Sequence, residues 1–178
     1  SVQERTNKIK SEDKIMTSTL IKKQETSLQK ELLNLKSKFP DWNFYYELDT
    51  DISDSTSVVK EVIKHATEIL SDIRGTQSSF IGYQANDIDS VREEMMAIYN
   101  ALKSLKINYA NPPASFNLFQ SVRLPKTVLN EKLGTCLDLA ILYCACLENV
   151  GLNPILILMN GHAFAGCFLN DECFIEKT

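Results

Sequence analysis

The sequence predicts an α+β fold in which helices come first and a buried helix then packs on a small antiparallel sheet. Three observations predict it. Apolar residues recur at helical spacing through 55–74 and 88–106. Residues 135–150 are apolar nearly all the way round a helix, the pattern of a buried one. The apolar run ILILM at 155–159 is followed by Asn160 and Gly161 and then HAFAGCFL, which reads as buried strand, turn and next strand.

Each element has its own signals. Residues 11–38 read as a helix capped by Ser11, with Glu12 and Asp13 suited to its first turn, and Pro40 closes the run. Ile15, Leu20, Leu28, Leu32 and Leu35 form its loose apolar stripe, and Lys22, Lys23, Lys30, Lys36 and Lys38 read as a solvated face. The segment DWNFYYELDT at 41–50 holds the only tryptophan beside Phe44, Tyr45 and Tyr46, as expected of a short strand or turn that staples the first helix to the rest. Residues 55–74 carry Val58, Val59, Val62, Ile63, Ala66, Ile69, Leu70 and Ile73 in helical register, with Gly75 as the C-terminal cap. His65 falls just outside that stripe and reads as a surface residue.

The next helix, 88–106, takes Asn86 or Asp87 as its cap. It is expected to bury Ile88, Val91, Met95, Ile98, Tyr99, Leu102 and Leu105, with Met95 and Met96 as core filler. YANPPASF at 109–116 carries two prolines, which forbid a helix there and predict an ordered loop or extended segment. A short helix at 126–132 follows Pro125, Gly134 breaks it, and Gly151 ends the buried helix after it. Asn170 and Asp171 begin a hairpin turn, and ECFIE starts a returning strand. The domain reading is a helical extension over 1–50 and a main domain over 51–178 whose sheet breaks off at its C-terminus, as in a piece of a longer protein.

A net charge of −4 argues against a dedicated nucleic-acid surface, so direct nucleic-acid binding is not expected of this segment. No uninterrupted apolar run reaches the ~18 residues of a membrane span, and the polar start SVQERTNKIKSEDK is no signal peptide, so no membrane partner is expected. The cysteines Cys136, Cys144, Cys146, Cys167 and Cys173 are odd in number and all fall in the last third, unlike a secreted disulfide framework. Reduced thiols in a cytoplasmic protein are expected. A metal site joining His162 to Cys167 or Cys173 has no supporting C-x-x-C or H-x-x-x-H spacing, and no metal or cofactor is expected.

The chemistry-bearing pair is Cys136 and His162. Cys136 stands in GTCLDLA at the first turn of the buried helix, where free backbone N–H groups and the helix dipole favour a thiolate. His162 heads a strand after Asn160 and Gly161, and a helix, loop, strand and turn fit between the two. A histidine returning there can take the thiol proton, while a third group orients the imidazole. Cys144 and Cys146 read as core residues, and Cys167 and Cys173 lie in the hairpin strands. Asp138 is about 200° round the helix from Cys136, which suits a favourable helix-start charge better than catalysis. Arg123 is expected to fasten the 111–116 loop or the helix start.

GTCLDLA, LENVGLNPILILM and GHAF together resemble the transglutaminase-like branch of papain-fold proteins over residues 123–169. In that branch a G-x-C-x-x-x-A helix start carries the nucleophile and a later G-H-A-aromatic strand start carries the base. The resemblance implies a papain-like core, with Cys136 as nucleophile and His162 as base. A narrower likeness covers about 80–176, through FIGYQANDIDSV, AIYNALKSLKINYANPPASF, VRLPKTVLNEKLGTCLDLA and GHAFAGCFL. These runs are similar to a domain near the N-terminus of large bacterial proteins that also carry superfamily 1 helicase motors and often a restriction-type nuclease module. Helicase or nuclease domains of the same parent chain are then its implied partners.

The family's third residue is an acid on the strand paired with the histidine strand, and Glu176 is the candidate. Strand parity leaves two outcomes. With Asn170 and Asp171 alone as the loop, Glu176 pairs with Ala165 and points away from His162. With Glu172 added to the loop, it pairs with Gly166 and shares the His162 face. For the oxyanion hole, the Cys136 backbone N–H is one donor and Gln120 a candidate second. The expected function is a cysteine hydrolase or acyltransferase acting on an amide or ester, with a protein or peptide substrate. The alternative is an inactive module of the same family that binds a peptide or protein and regulates an attached motor.

Overall fold

A computed structural model describes residues 27–46, 56–111 and 122–171. The expected helix at 11–38 is described over Ser27–Lys38 (α1), followed by strand β1, Asn43–Tyr46. Helix α2, Thr56–Arg74, and helix α3, Ile88–Ser104, flank a 3-10 turn at Gly82–Ala85. Then come β2 (Asn108–Tyr109), α4 (Pro125–Glu131), β3 (Leu133–Gly134), α5 (Cys136–Asn149), β4 (Pro154–Met159) and β5 (His162–Cys167). Most of 109–116, the strand expected after Asp171, Gln120, Cys173 and Glu176 lie outside the described residues.

Helix α2 buries Val59, Val62, Ala66 and Leu70, and α3 buries Val91, Ala97, Ile98 and Ala101. Val59, Val62, Ala66, Val91, Ile98 and Ala101 form the main core together with Leu142, Cys146 and Leu147 of α5. Each large aliphatic side chain so buried stabilises the fold by about 1.5–3 kcal/mol. Asp87 caps α3 by accepting from the N–H groups of Asp89 and Ser90.

Val91 and Ile98 of the expected α3 stripe are buried, and Met95, Leu102 and Leu105 pack against the core, but the edge of the stripe departs from expectation. Ile88, Met96 and Tyr99 are 44%, 53% and 56% exposed, so Met96 is a surface residue and no core filler. Ala97 and Ala101 are instead buried, where small side chains allow close helix approach. Between them and Val91 sits Glu94, which is fully buried. Its Oε1 accepts from the Ile81 N–H at 2.9 Å and its Oε2 from the Gly82 N–H at 3.1 Å, with the Arg74 guanidinium 3.8 Å away. Burial raises the Glu94 carboxyl above its ordinary range, and the two N–H donors and Arg74 oppose that rise.

Glu94 thereby holds the 3-10 turn, and the turn holds the sheet. Gly82 has φ +56°, and a side chain there would stand 3.3 Å from the Gly151 carbonyl oxygen. The Tyr83 hydroxyl donates to the Phe168 carbonyl at 2.7 Å and accepts from the Asn153 N–H at 2.9 Å. One phenol thus ties the residue before β4 to the residue after β5.

The main sheet is antiparallel in the order β1-β4-β5. Its strands draw on residues from both sides of position 50. The turn at Asn160 and Gly161 has Gly161 at φ +77°, and Met159 pairs with His162 across it. Leu156, Leu158 and Ala165 on one face meet Leu137, Ala140, Ile141 and Cys144 of α5. On the other face Ile155, Ile157 and Phe164 pack with Leu32, Trp42 and Phe44. Trp42 stacks on Phe39 at 4.2 Å and meets Phe164 edge-on at 5.2 Å, and the Lys36 ammonium donates to the Trp42 carbonyl. The aromatic segment therefore does staple α1 to the sheet. Gly166 has no room for a side chain: a Cβ would lie 2.9 Å from Ile155 Cγ2.

A second sheet was not expected. β2 runs parallel to β3, with Asn108 opposite Leu133 and Tyr109 opposite Gly134. The Asn108 N–H donates to the Lys132 carbonyl and the Ala110 N–H to the Gly134 carbonyl, both at 2.8 Å.

The start of α5 is fixed by Asp138, which is fully buried. Thr135 is the N-cap; its hydroxyl accepts from the Asp138 N–H at 3.3 Å, while Asp138 Oδ2 accepts from the Thr135 N–H at 2.9 Å. Asp138 Oδ1 accepts from the Arg123 N–H at 2.8 Å, and the Arg123 guanidinium lies 3.2 Å from Oδ2. Of the two sequence expectations for Arg123, the contacts to the helix start are described, and its guanidinium also lies 3.7 Å from Glu131 of α4. Gly134 completes the junction, since a Cβ there would be 3.3 Å from Val128 and 3.4 Å from Leu139.

Two substitutions test these anchors. Asp138→Ala leaves the buried Thr135 N–H without its acceptor, removes the reciprocal half of the capping box and frees Arg123, and should cost about 2–4 kcal/mol in urea denaturation. Glu94→Gln removes a carboxyl whose raised pKa makes its stabilising contribution fall as pH rises through the folded value. The stability of the wild type relative to Glu94→Gln should therefore decline between pH 4.5, the ordinary value for the group, and neutrality. A difference that stays constant or grows would contradict the assignment.

Candidate functional site

Cys136 is the first residue of α5, directly after the Thr135 cap. The amides at such a helix start point away from the helix body, and the dipole favours negative charge there. Cys136 is only 6% exposed, yet it lines a cleft of about 530 Å³. His162, at the head of β5, is exposed and lines the same cleft. The structure thus brings the two sequence-selected residues to one space, from a helix start and a strand start.

The face of β5 that carries His162 is equally informative. Ala165 faces α5, and by alternation Ala163 does too. His162 belongs with Phe164 on the opposite face, their rings stacked with centroids 6.2 Å apart. Phe164 in turn packs against Trp42. Among the described residues β5 is an edge strand, and the cleft wraps that edge, touching residues 162 to 165 from both faces.

The rest of the cleft comes from α3, β2 and α5. Leu102, Ile107, Leu139 and Ala140 make it apolar, and its charged lining residues among those described are Lys103 and Lys106. Lys106 has φ +52°, a left-handed residue just beyond the end of α3 that turns the chain into β2. The β2–β3 ladder then delivers Tyr109 to the helix start. Its side chain lines the cleft together with Cys136, whose side chain pushes the phenol above its ordinary pKa. Sequence reading missed Tyr109. A two-residue parallel ladder has no periodicity to detect, and the prolines after it drew the segment toward a loop.

The other described cysteines have different surroundings. Cys144 and Cys146 are fully buried in α5. Burial pushes the Cys146 thiol up to about 12 and the Cys167 thiol up to about 11, and it raises Cys144 as well. Asp138 spends both carboxylate oxygens on Arg123 and Thr135, which makes it an anchor for the helix that Cys136 begins. His65 is exposed on α2, 3.4 Å from Glu68 and outside this cleft. Among the described residues no group of three or more metal-ligating side chains converges, and no helix is long and apolar enough to cross a membrane.

No curated protein and no solved structure matches the chain. A family described as a transglutaminase-like domain matches residues 8–176, which takes in every described element from α1 to β5. With nearly its whole length matched, the chain belongs to the transglutaminase-like domain family.

Proposed function

We propose that this domain is a cysteine hydrolase or acyltransferase acting on amide or ester bonds, with Cys136 as nucleophile and His162 as its base. The observation that carries the reading is the setting of Cys136: a thiol at a braced helix start, opening on a cleft that His162 also lines. Proton transfer from Cys136 to His162 would leave a thiolate stabilised by the helix dipole and by the imidazolium. Attack on a carbonyl carbon would form an acyl-thioester, which water or an amine then resolves. Glu176 is the candidate for orienting the imidazole, and Gln120 a candidate oxyanion donor. A protein or peptide is the proposed acyl donor, and helicase or nuclease domains of a parent chain are proposed partners.

A second reading is favoured by the strand parity. His162 shares a face with Phe164 and stacks on it, while α5 covers the other face. A histidine committed there would leave a cleft that binds a peptide without cleaving it.

Alkylation separates the two. Sub-stoichiometric iodoacetamide at neutral pH should label Cys136 ahead of Cys144, Cys146, Cys167 and Cys173 in peptide mapping. His162→Ala should then slow labelling of Cys136 by about tenfold, since the thiolate loses its cationic partner. Equal labelling rates with and without His162 would favour the binding module, and preferential labelling of another cysteine would defeat the enzyme reading.

A further inference from the structure

The cleft carries charge of one sign. Acidic residues outnumber basic ones in the chain, 23 to 19, yet the charged side chains lining the cleft among the described residues are Lys103 and Lys106. Both are exposed. The acids of α3 are engaged elsewhere: Asp89 with Arg92 at 2.8 Å, Glu93 with Arg74 at 2.8 Å, and Glu94 with the 3-10 turn. Lys103, in the last turn of α3, also suits the helix dipole. That role does not reach Lys106, which lies past the helix end. The Lys106 N–H donates to the Lys103 carbonyl at 3.2 Å, so one tight turn holds the two lysines together. β2 then leads from that turn to Tyr109, which stands opposite Gly134, two residues before Cys136. Backbone pairing therefore ties the two cations to the start of the cysteine helix.

The rest of the wall is apolar or aromatic. Tyr99 and Tyr109 are 56% and 54% exposed and stand with Leu102 and Phe164 around the cleft. Met96, three residues before Tyr99 and 53% exposed, extends that apolar surface along α3. Exposed apolar surface rimmed by charge marks an interaction site, and a cleft of about 530 Å³ is of ligand-binding size. A ligand that satisfies both features has apolar bulk with an anionic group beside it. We propose that the substrate of this cleft is an acidic peptide, with an apolar or aromatic side chain in the cleft and an aspartate or glutamate carboxylate held by Lys103 and Lys106. The inference rests on the reading of this cleft as the substrate site and deepens it.

A nucleic acid fits these observations less well. Binding a polyanion calls for a basic stripe that follows the phosphate backbone, whereas here two lysines stand on a chain of net charge −4. A single carboxylate needs no more than such a pair. Each exposed ion pair is modest in strength and sensitive to salt. Apolar contact then supplies most of the affinity, and the lysines supply the choice between peptides.

The test measures binding, on the full chain with Cys136→Ser in place so that no chemistry intervenes. Three fluorescein-labelled hexapeptides share leucine and phenylalanine at the centre and carry glutamate, glutamine or lysine at both ends. At low salt, fluorescence anisotropy should give the glutamate peptide an affinity about tenfold above the lysine peptide, with the glutamine peptide between them. The gap should shrink in about 0.5 M salt. Lys103→Gln with Lys106→Asn removes both charges, asparagine suiting the left-handed backbone at that position, and should erase the preference. Lys103→Glu with Lys106→Asp should reverse it, a gain for the lysine peptide that a misfolded variant does not show. Equal binding of the three peptides, or no measurable binding of any, would overturn the inference. So would a preference that survives the loss of both lysines. An oligouridine that binds as tightly as the glutamate peptide, and is lost with the lysines, would reassign the cations to nucleic acid and overturn it too. A glutamate preference found together with failure of the alkylation test supports the inference, with the peptide as partner of a binding module, and the enzyme reading alone falls.

Discussion

Everything about this site depends on one buried carboxylate. Asp138 holds the Thr135 N–H, the Arg123 N–H and the Arg123 guanidinium, and its own N–H is held by the Thr135 hydroxyl. An aspartate with no solvent exposure is costly unless it is fully paired. Here the pairing closes the first turn of α5 and joins it to the segment that leads into α4. Cys136 stands between two partners of that network, Thr135 and Asp138, so its backbone has little freedom. A reactive thiol needs such a fixed frame, because the donors that stabilise charge must already be in place when charge develops.

The second constraint is the line of contacts from Glu94 to the sheet. Glu94 holds the 3-10 turn, Tyr83 of that turn holds Asn153 and Phe168, and these flank the open end of the β4–β5 hairpin, whose turn leads into His162. The same helix, α3, contributes Tyr99 and Lys103 to the cleft wall. Buried polar groups thus set the position of the histidine strand against the cysteine helix, while the apolar core supplies most of the free energy. In a transglutaminase-like domain that division matters. Apolar packing tolerates small shifts, whereas a hydrogen-bonded carboxylate accepts only a narrow geometry.

Sequence reading recovered most of this architecture because most of it is periodic or punctuated. Helices α2, α3 and α5, the β4–β5 hairpin and its glycine turn all have local signals, and their observed limits lie within a few residues of those expected. It placed Val91 and Ile98 of α3 correctly in the core but misplaced the edge of that buried face. Ile88, Met96 and Tyr99 fit an apolar pattern, but α2 and α5 cover a different arc, where Ala97 and Ala101 let them approach and Glu94 finds donors. It also could not see the β2–β3 ladder, whose two short strands pair across a separation that no local pattern encodes.

What the sequence determined by itself was the order of elements and the two chemical markers, GTC at a helix start and GHAF at a strand start. These are local facts: a glycine, a cap and a run of apolar residues act on the chain within a few positions of themselves. What only the tertiary structure decided was the company those markers keep. Tyr109 joins Cys136 in lining the cleft because a parallel ladder joins residues 108–109 to 133–134, and His162 lies with Phe164 because β5 enters the sheet with Met159 opposite it. Pairing register and strand face are properties of two segments together. Neither segment's residues contain them, because an extended chain presents alternate side chains equally well to either side until a partner breaks the tie.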